Sequence, residues 1–169
     1  MELWVTDGTA AGTRMVKDLR VGQAGSSPAE LTVSGGRLFF SADAGGGRTL
    51  WALDAGTTEP RAIRGAKNIE FQNPSELTDL NGILLFRSTN GFIRGSELYR
   101  SNGTSAGTFL LKSISTGVTG SSPREFVVIG NVAYFVATGT TTGAELYRTD
   151  GTAAGTLLVK DIWVGGSSS

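Results

Sequence analysis

The 169-residue chain contains no cysteine and no histidine. The first absence excludes disulfides and thiolate metal sites. Together they remove the usual general bases, nucleophile dyads and zinc ligand sets. No apolar run is long enough for a transmembrane helix. Fifteen basic and fifteen acidic side chains cancel without any block of like charge, so the electrostatic footprint of a nucleic-acid binder is missing. Neither nucleic acid nor membrane is an expected partner. No G-x-x-x-x-G-K-[ST] occurs, and Gly45-Gly46-Gly47 lies between strand-like segments without the helix that a phosphate cradle requires. What remains, 39% apolar and 18% charged residues, is the composition of a globular domain.

What is present is repetition. The phrase Glu-Leu-aromatic-x-x-(Asp/Asn)-Gly-Thr-x-Ala-Gly-Thr runs from Glu2 to Thr13, Glu97 to Thr108 and Glu145 to Thr156, and an eroded copy spans Thr49 to Arg64. The leucines fall at Leu3, Leu50, Leu98 and Leu146, spaced by 47, 48 and 48 residues, a period typical of propeller blades and other repeat arrays. Between the phrases a second block recurs: Ser26-Ser27-Pro28 with Leu38-Phe39-Phe40, Asn73-Pro74 with Leu84-Leu85-Phe86, and Ser121-Ser122-Pro123 with Ala133-Tyr134-Phe135. Both halves read as hairpins.

In the cleanest unit, strands are expected over 126–129, 132–137, 146–149 and 157–162, separated by the Gly130-Asn131 turn, a polar loop over 138–144 and a turn over 150–155. Short strands, frequent turns and no helical period predict an all-β, β-propeller-like array of four-stranded antiparallel blades. The expected organisation is one continuous repeat domain: an outer half-blade over 1–25, three complete blades over 26–69, 70–120 and 121–162, and a truncated lead-in to a further blade over 163–169. Three blades are too few to close a ring. The sequence is therefore expected either to be cut from a longer array or to associate with itself, a dimer closing one ring being favoured.

The recurring residues have local readings. Glu2 and Lys17, Glu97 and Lys112, and Glu145 and Lys160 are each fifteen apart. A symmetric hairpin places each pair across its two outer strands, as a surface ion pair worth at most about 1 kcal/mol; a catalytic Glu-Lys couple is the alternative. Asp7, Asn102 and Asp150 precede a turn glycine, where a side-chain oxygen caps backbone N–H groups. Calcium is the alternative there, but one carboxylate per turn is a thin ligand set, and no metal or other cofactor is expected. Asn102-Gly103-Thr104 is a glycosylation sequon by letter and reads as a drifted form of the same turn. Trp4, Trp51, Tyr99 and Tyr147 follow the leucine and face the other side of the sheet, as core or as sugar-stacking platforms.

Glu2-Leu3-Trp4, Asp7-Gly8-Thr9, Ala11-Gly12-Thr13 and Val16-Lys17-Asp18-Leu19, and likewise Glu145 through Ile162, resemble the ELWxxDGT, or hyalin-like, repeat family along essentially the whole chain. The resemblance implies a large bacterial exported or surface protein with propeller-type domains and no settled activity; Leu50 to Arg64 departs from it, lacking Asp-Gly-Thr and inserting Pro60. Met1 is followed at once by the phrase, without the basic and apolar regions of a secretory leader. The expected function is a non-catalytic scaffold or protein interaction surface. A carbohydrate-binding, lectin-like propeller is the alternative and a propeller hydrolase comes third, because Glu59, Glu70 and Asp79 have no spacing that argues for a carboxylate pair.

Overall fold

A computed structural model describes residues 1–89, 95–116 and 118–164. Fourteen strands occur among them: β1 Leu3–Val5, β2 Arg14–Lys17, β3 Ala29–Ser34, β4 Arg37–Asp43, β5 Arg48–Asp54, β6 Arg61–Ala62, β7 Gln72–Leu80, β8 Ile83–Thr89, β9 Glu97–Ser101, β10 Phe109–Lys112, β11 Arg124–Ile129, β12 Val132–Gly139, β13 Gly143–Thr149 and β14 Leu157–Leu158. A 3-10 turn over Ala66–Asn68 is the only helical element described. The fold is all-β. The Gly165-Gly166-Ser167-Ser168 lead-in lies outside the described residues.

Every strand pairing is antiparallel, and the order is meandering. Hairpin β1–β2 stands first, followed by β3–β4–β5–β6, β7–β8–β9–β10 and β11–β12–β13–β14. Gly35-Gly36 and Asn81-Gly82 have positive φ at both turn positions, the backbone twist that two-residue hairpin turns require.

Alternation along the strands sends side chains to both faces of each meander, and the faces stack into three successive cores. Leu3 and Val16 of the hairpin meet Phe40, Ala42 and Trp51. The other face of the first meander, with Phe39, Leu50, Ala52 and Ile63, meets Phe71, Phe86 and Tyr99 of the second. Leu85, Leu98 and Leu111, on the far side of the second, meet Phe135, Ala137 and Tyr147 of the third. Each core lies between two successive units, the first of which is the hairpin.

Three expectations need correction. The meanders are not wholly separate sheets, because Thr49 pairs with Gln72 and joins β3–β6 to β7–β10 as one eight-stranded sheet beside sheets of two and four. The contact belongs to the repeat. In intact copies the next unit's lead-in bonds at the equivalent edge, Ser27 N to Met1 O and Ser122 N to Ser96 O, each at 3.0 Å. At Thr49, which stands where those copies have glutamate, the contact is a strand pairing. Second, the polar loop over 138–144 shortens to a tight turn, because β12 and β13 stay paired out to Gly139 and Gly143. Third, the strand expected over 157–162 ends at Leu158; Val159 adds one bond to the Leu146 carbonyl at 2.9 Å. Its counterpart β10 runs on under a covering sheet that buries Leu111, whereas Val159 is exposed.

Candidate functional site

The most elaborate constellation in the chain is the repeated turn. The Asp7 carboxylate accepts from Thr9 N at 2.9 Å and from Thr9 Oγ1 at 2.8 Å. Thr9 Oγ1 then accepts from Gly12 N at 2.9 Å, and Thr13 Oγ1 donates to Thr9 O at 2.6 Å. The network repeats at Asn102 with Thr104, Gly107 and Thr108 and at Asp150 with Thr152, Gly155 and Thr156. It explains the phrase letter by letter. Gly8, Gly103 and Gly151 sit at φ of 83–91°, where other residues are strained. At Gly12, Gly107 and Gly155 an added Cβ would lie 1.9–2.1 Å from the capping side-chain oxygen. This is the Asx-type capping read from the sequence, and Asn102 makes the same bonds as the two aspartates.

The carboxylates of Asp7 and Asp150 are held below the usual aspartate value of 3.8, first by the threonine hydroxyls of Thr9 and Thr152 and then by their backbone N–H groups. A depressed native pKa contributes stability above the unfolded-state pKa and loses it as pH falls through the native one. The double variant Asp7→Asn, Asp150→Asn keeps the acceptor oxygen and removes the titration, as Asn102 already does. We expect its melting temperature to match the parent at neutral pH and to fall less steeply below about pH 5. Identical acid limbs in thermal melts would contradict this.

The Glu–Lys pairs are corrected. Lys17 lies opposite Leu3 and Lys112 opposite Leu98, each after a bulge in the register, and none of the three expected ion pairs is among those formed by the described residues. Lys17 instead bridges Glu59 at 2.5 Å, Lys112 Nζ donates to Ala153 O at 3.2 Å, and Lys160 is exposed. The glutamates turn inward. Glu2 accepts from the hydroxyl and backbone N–H of Ser26 and from Leu19 N. Buried Glu97 accepts from Ser121 Oγ at 2.5 Å, and buried Glu145 from Ile162 N at 3.4 Å. Burial pushes the Glu2 pKa up, but the bonds from Ser26 and Leu19 outweigh it and the carboxyl lies below its ordinary value. Glu2 thus ties the exit of its own hairpin to the Ser-Ser-Pro that opens the next meander, and Glu97 binds the equivalent serine, Ser121, two units on.

Two further sets of contacts escaped sequence reading. Glu30, Glu76 and Glu125 occupy left-handed backbone at φ of 58–59° within bulges of β3, β7 and β11. Their carboxylates reach forward: Glu30 accepts from Leu77 N at 3.4 Å and Glu76 from Glu125 N at 2.9 Å. The available sign was a glutamate two residues after each of Pro28, Pro74 and Pro123. Basic side chains also clamp the following unit's turn. Arg37 donates to Asn102 O, Arg61 Nη1 to Gly103 O at 2.9 Å, and Arg100 Nη1 to Gly151 O at 2.6 Å.

The aromatic positions are not equivalent. Tyr99 and Tyr147 are closed within cores beside Phe86 and Phe135 and offer no face to a sugar. Trp51 is half-buried and Trp4 is exposed. The largest cavity described, about 430 Å³, opens between hairpin β1–β2 and the first meander, lined by Val5, Val33, Leu38, Leu53, Arg37 and Asp54. Arg37 donates to Asp54 at 2.9 Å and, with Arg61 beside it, holds that carboxyl below its usual range. Among the described residues no three acidic side chains gather as a metal-binding group, and no helix is long and apolar enough to cross a membrane.

No family model and no curated protein matches the chain. Among solved structures it is similar to a crystal structure of puromycin hydrolase, with a TM-score of 0.58 and 17% identity over 93% of this chain, and to the S511A mutant of puromycin hydrolase complexed with PGG, with a TM-score of 0.59 and 19% identity over 94%. The chain spans 24% of the length of each. At this identity the likeness shows an all-β, propeller-like fold and nothing of the activity.

Proposed function

We propose that the chain is a non-catalytic β-propeller segment of the ELWxxDGT repeat type, an outer half-blade followed by three blades, serving as a scaffold and protein interaction surface in an exported or cell-surface assembly. One observation carries the reading: the recurring polar side chains are engaged in building their own turns or in holding one unit to the next. The turn aspartates cap their own threonines, the phrase glutamates bind lead-in serines and exit amides, and the arginines occupy turn carbonyls. The face-to-face cores are the packing that successive blades require. The likeness to puromycin hydrolase supports the architecture, while the hydrolase reading has neither a histidine nor a cysteine in the sequence to rest on. A lectin reading needs equivalent exposed aromatics, and two of the four are buried.

Glycan-array binding and a broad hydrolase substrate panel test the proposal together. We expect neither binding nor turnover. Glycan binding lost in Trp4→Ala would replace the scaffold by a lectin, and turnover would replace it by an enzyme.

A further inference from the structure

The three cores obey one rule. A leucine face of one unit meets the aromatic face of the next: Leu50 and Phe39 against Tyr99 and Phe86, then Leu98 and Leu85 against Tyr147 and Phe135. Two faces of these same kinds remain uncovered. Trp4, on β1 opposite Met15, holds the position of Tyr99 and Tyr147, yet it is 60% exposed where they are 3% and 7%. At the other end Leu146 holds the position of Leu50 and Leu98, and it is 40% exposed where both are at 0%. Val159 beside it and Ile129 two strands away in the same sheet are exposed, although their counterparts Leu111 and Leu80 are buried.

The polar contacts run in the same direction. Arg100 and Lys112 donate forward to Gly151 O and Ala153 O of the next turn. Arg148 and Lys160 occupy the same two places in the third meander, and both are exposed. The turn Asp7-Gly8-Thr9-Ala10 on the first hairpin has the same internal bonds as the turns those donors bind, and it too is exposed. Each uncovered face therefore has a complement in shape class and hydrogen bonding at the opposite end of the same chain. An uncovered apolar sheet face of this kind marks an interaction site.

We propose that the chain docks onto a second copy of itself head to tail, the Trp4–Met15 face of hairpin β1–β2 in one copy covering the Leu146, Ile129 and Val159 face of the other, with Arg148 and Lys160 donating to the Gly8 and Ala10 carbonyls. The interface is heterologous, so two contacts per pair are needed to close a dimer. This deepens the scaffold reading and rests on its blade assignment.

Complementation tests it. The parent chain should at least double in mass by light scattering as concentration rises. Trp4→Glu and Leu146→Glu each spoil one half of the contact, so each alone should be monomeric. Mixed, they should form an open 1:1 heterodimer held by a single contact, because the intact Leu146 face of the first fits the intact Trp4 face of the second. Both side chains are exposed, and cooperative melting of each variant checks that it has folded. Arg148→Ala, milder still, should weaken association by about tenfold or more, the value of one charge-assisted hydrogen bond. A parent that stays monomeric at all concentrations would assign these faces to another partner or to further repeats and overturn the proposal, leaving the non-catalytic reading intact. Variants that assemble like the parent, or a mixture that stays monomeric, would overturn it equally. Glycan binding or turnover with assembly intact would instead strike the scaffold reading alone.

Discussion

Phe86→Ala is expected to destabilise the fold by about 3–5 kcal/mol, the range for emptying a well-packed aromatic site. Phe86 is fully buried at the meeting of two meanders. Its ring stands edge-on to Phe71 with centroids 5.5 Å apart and stacks on Tyr99 at 5.6 Å, while Phe71 and Tyr99 meet at 5.2 Å. Removing the ring leaves a cavity walled by two other rigid rings that cannot collapse into it, and it forfeits two aromatic contacts. For a domain of this size the loss corresponds to roughly 6–20 °C in melting temperature. A fall of under about 2 °C would mean that the core between the first two meanders contributes little, and the layered description would be wrong.

The second large effect is expected at Glu97. Glu97→Ala removes a buried acceptor from Ser121 Oγ, and leaving a buried polar group without its partner costs about 1–3 kcal/mol. The Glu59→Ala control deletes an ion pair to Lys17 whose partners are 45% and 75% exposed, where less than about 1 kcal/mol is at stake. Urea melts of the two variants separate an internal tie from a surface pair. Equal, small effects would restore the cross-strand reading of the Glu-Leu-aromatic phrase; a loss at Glu97 several times that at Glu59 supports the tie.

Hairpins and turns were legible in the sequence because their determinants are local. Asn81-Gly82 and Gly35-Gly36 announce positive φ, and the capping network of Asp-Gly-Thr-x-Ala-Gly-Thr is closed within those seven residues and the hydroxyl residue just before them. Turn chemistry of that kind needs no tertiary context. The glutamate of the phrase was misread for the opposite reason. Its partner was sought in its own hairpin, but Glu2 and Glu97 bond to serines 24 residues onward. The bulge glutamates were hidden further, since nothing in the residue type favours left-handed backbone and the amides that Glu30 and Glu76 satisfy belong to the next meander. The Thr49–Gln72 pairing was hidden because it joins two units, as do the bonds from Ser27 N to Met1 O and from Ser122 N to Ser96 O. Leucines and aromatics were correctly placed on opposite faces by alternation, but alternation does not state which faces are covered, so Tyr99 and Trp4 looked alike.

The three separate cores have a consequence for how the chain loses structure. Each couples only adjacent units, so stability is close to a sum of nearest-neighbour terms, as in a one-dimensional array. The first and second meanders have both faces covered among the described residues, the first on one side by hairpin β1–β2, and the third has one. Opening therefore has a direction. It runs from the two ends inward, from hairpin β1–β2, where Trp4 has no cover, and from β14 and β13, where Leu146 and Val159 have none, with the amides of β4, β5, β8 and β9 the last to exchange with solvent.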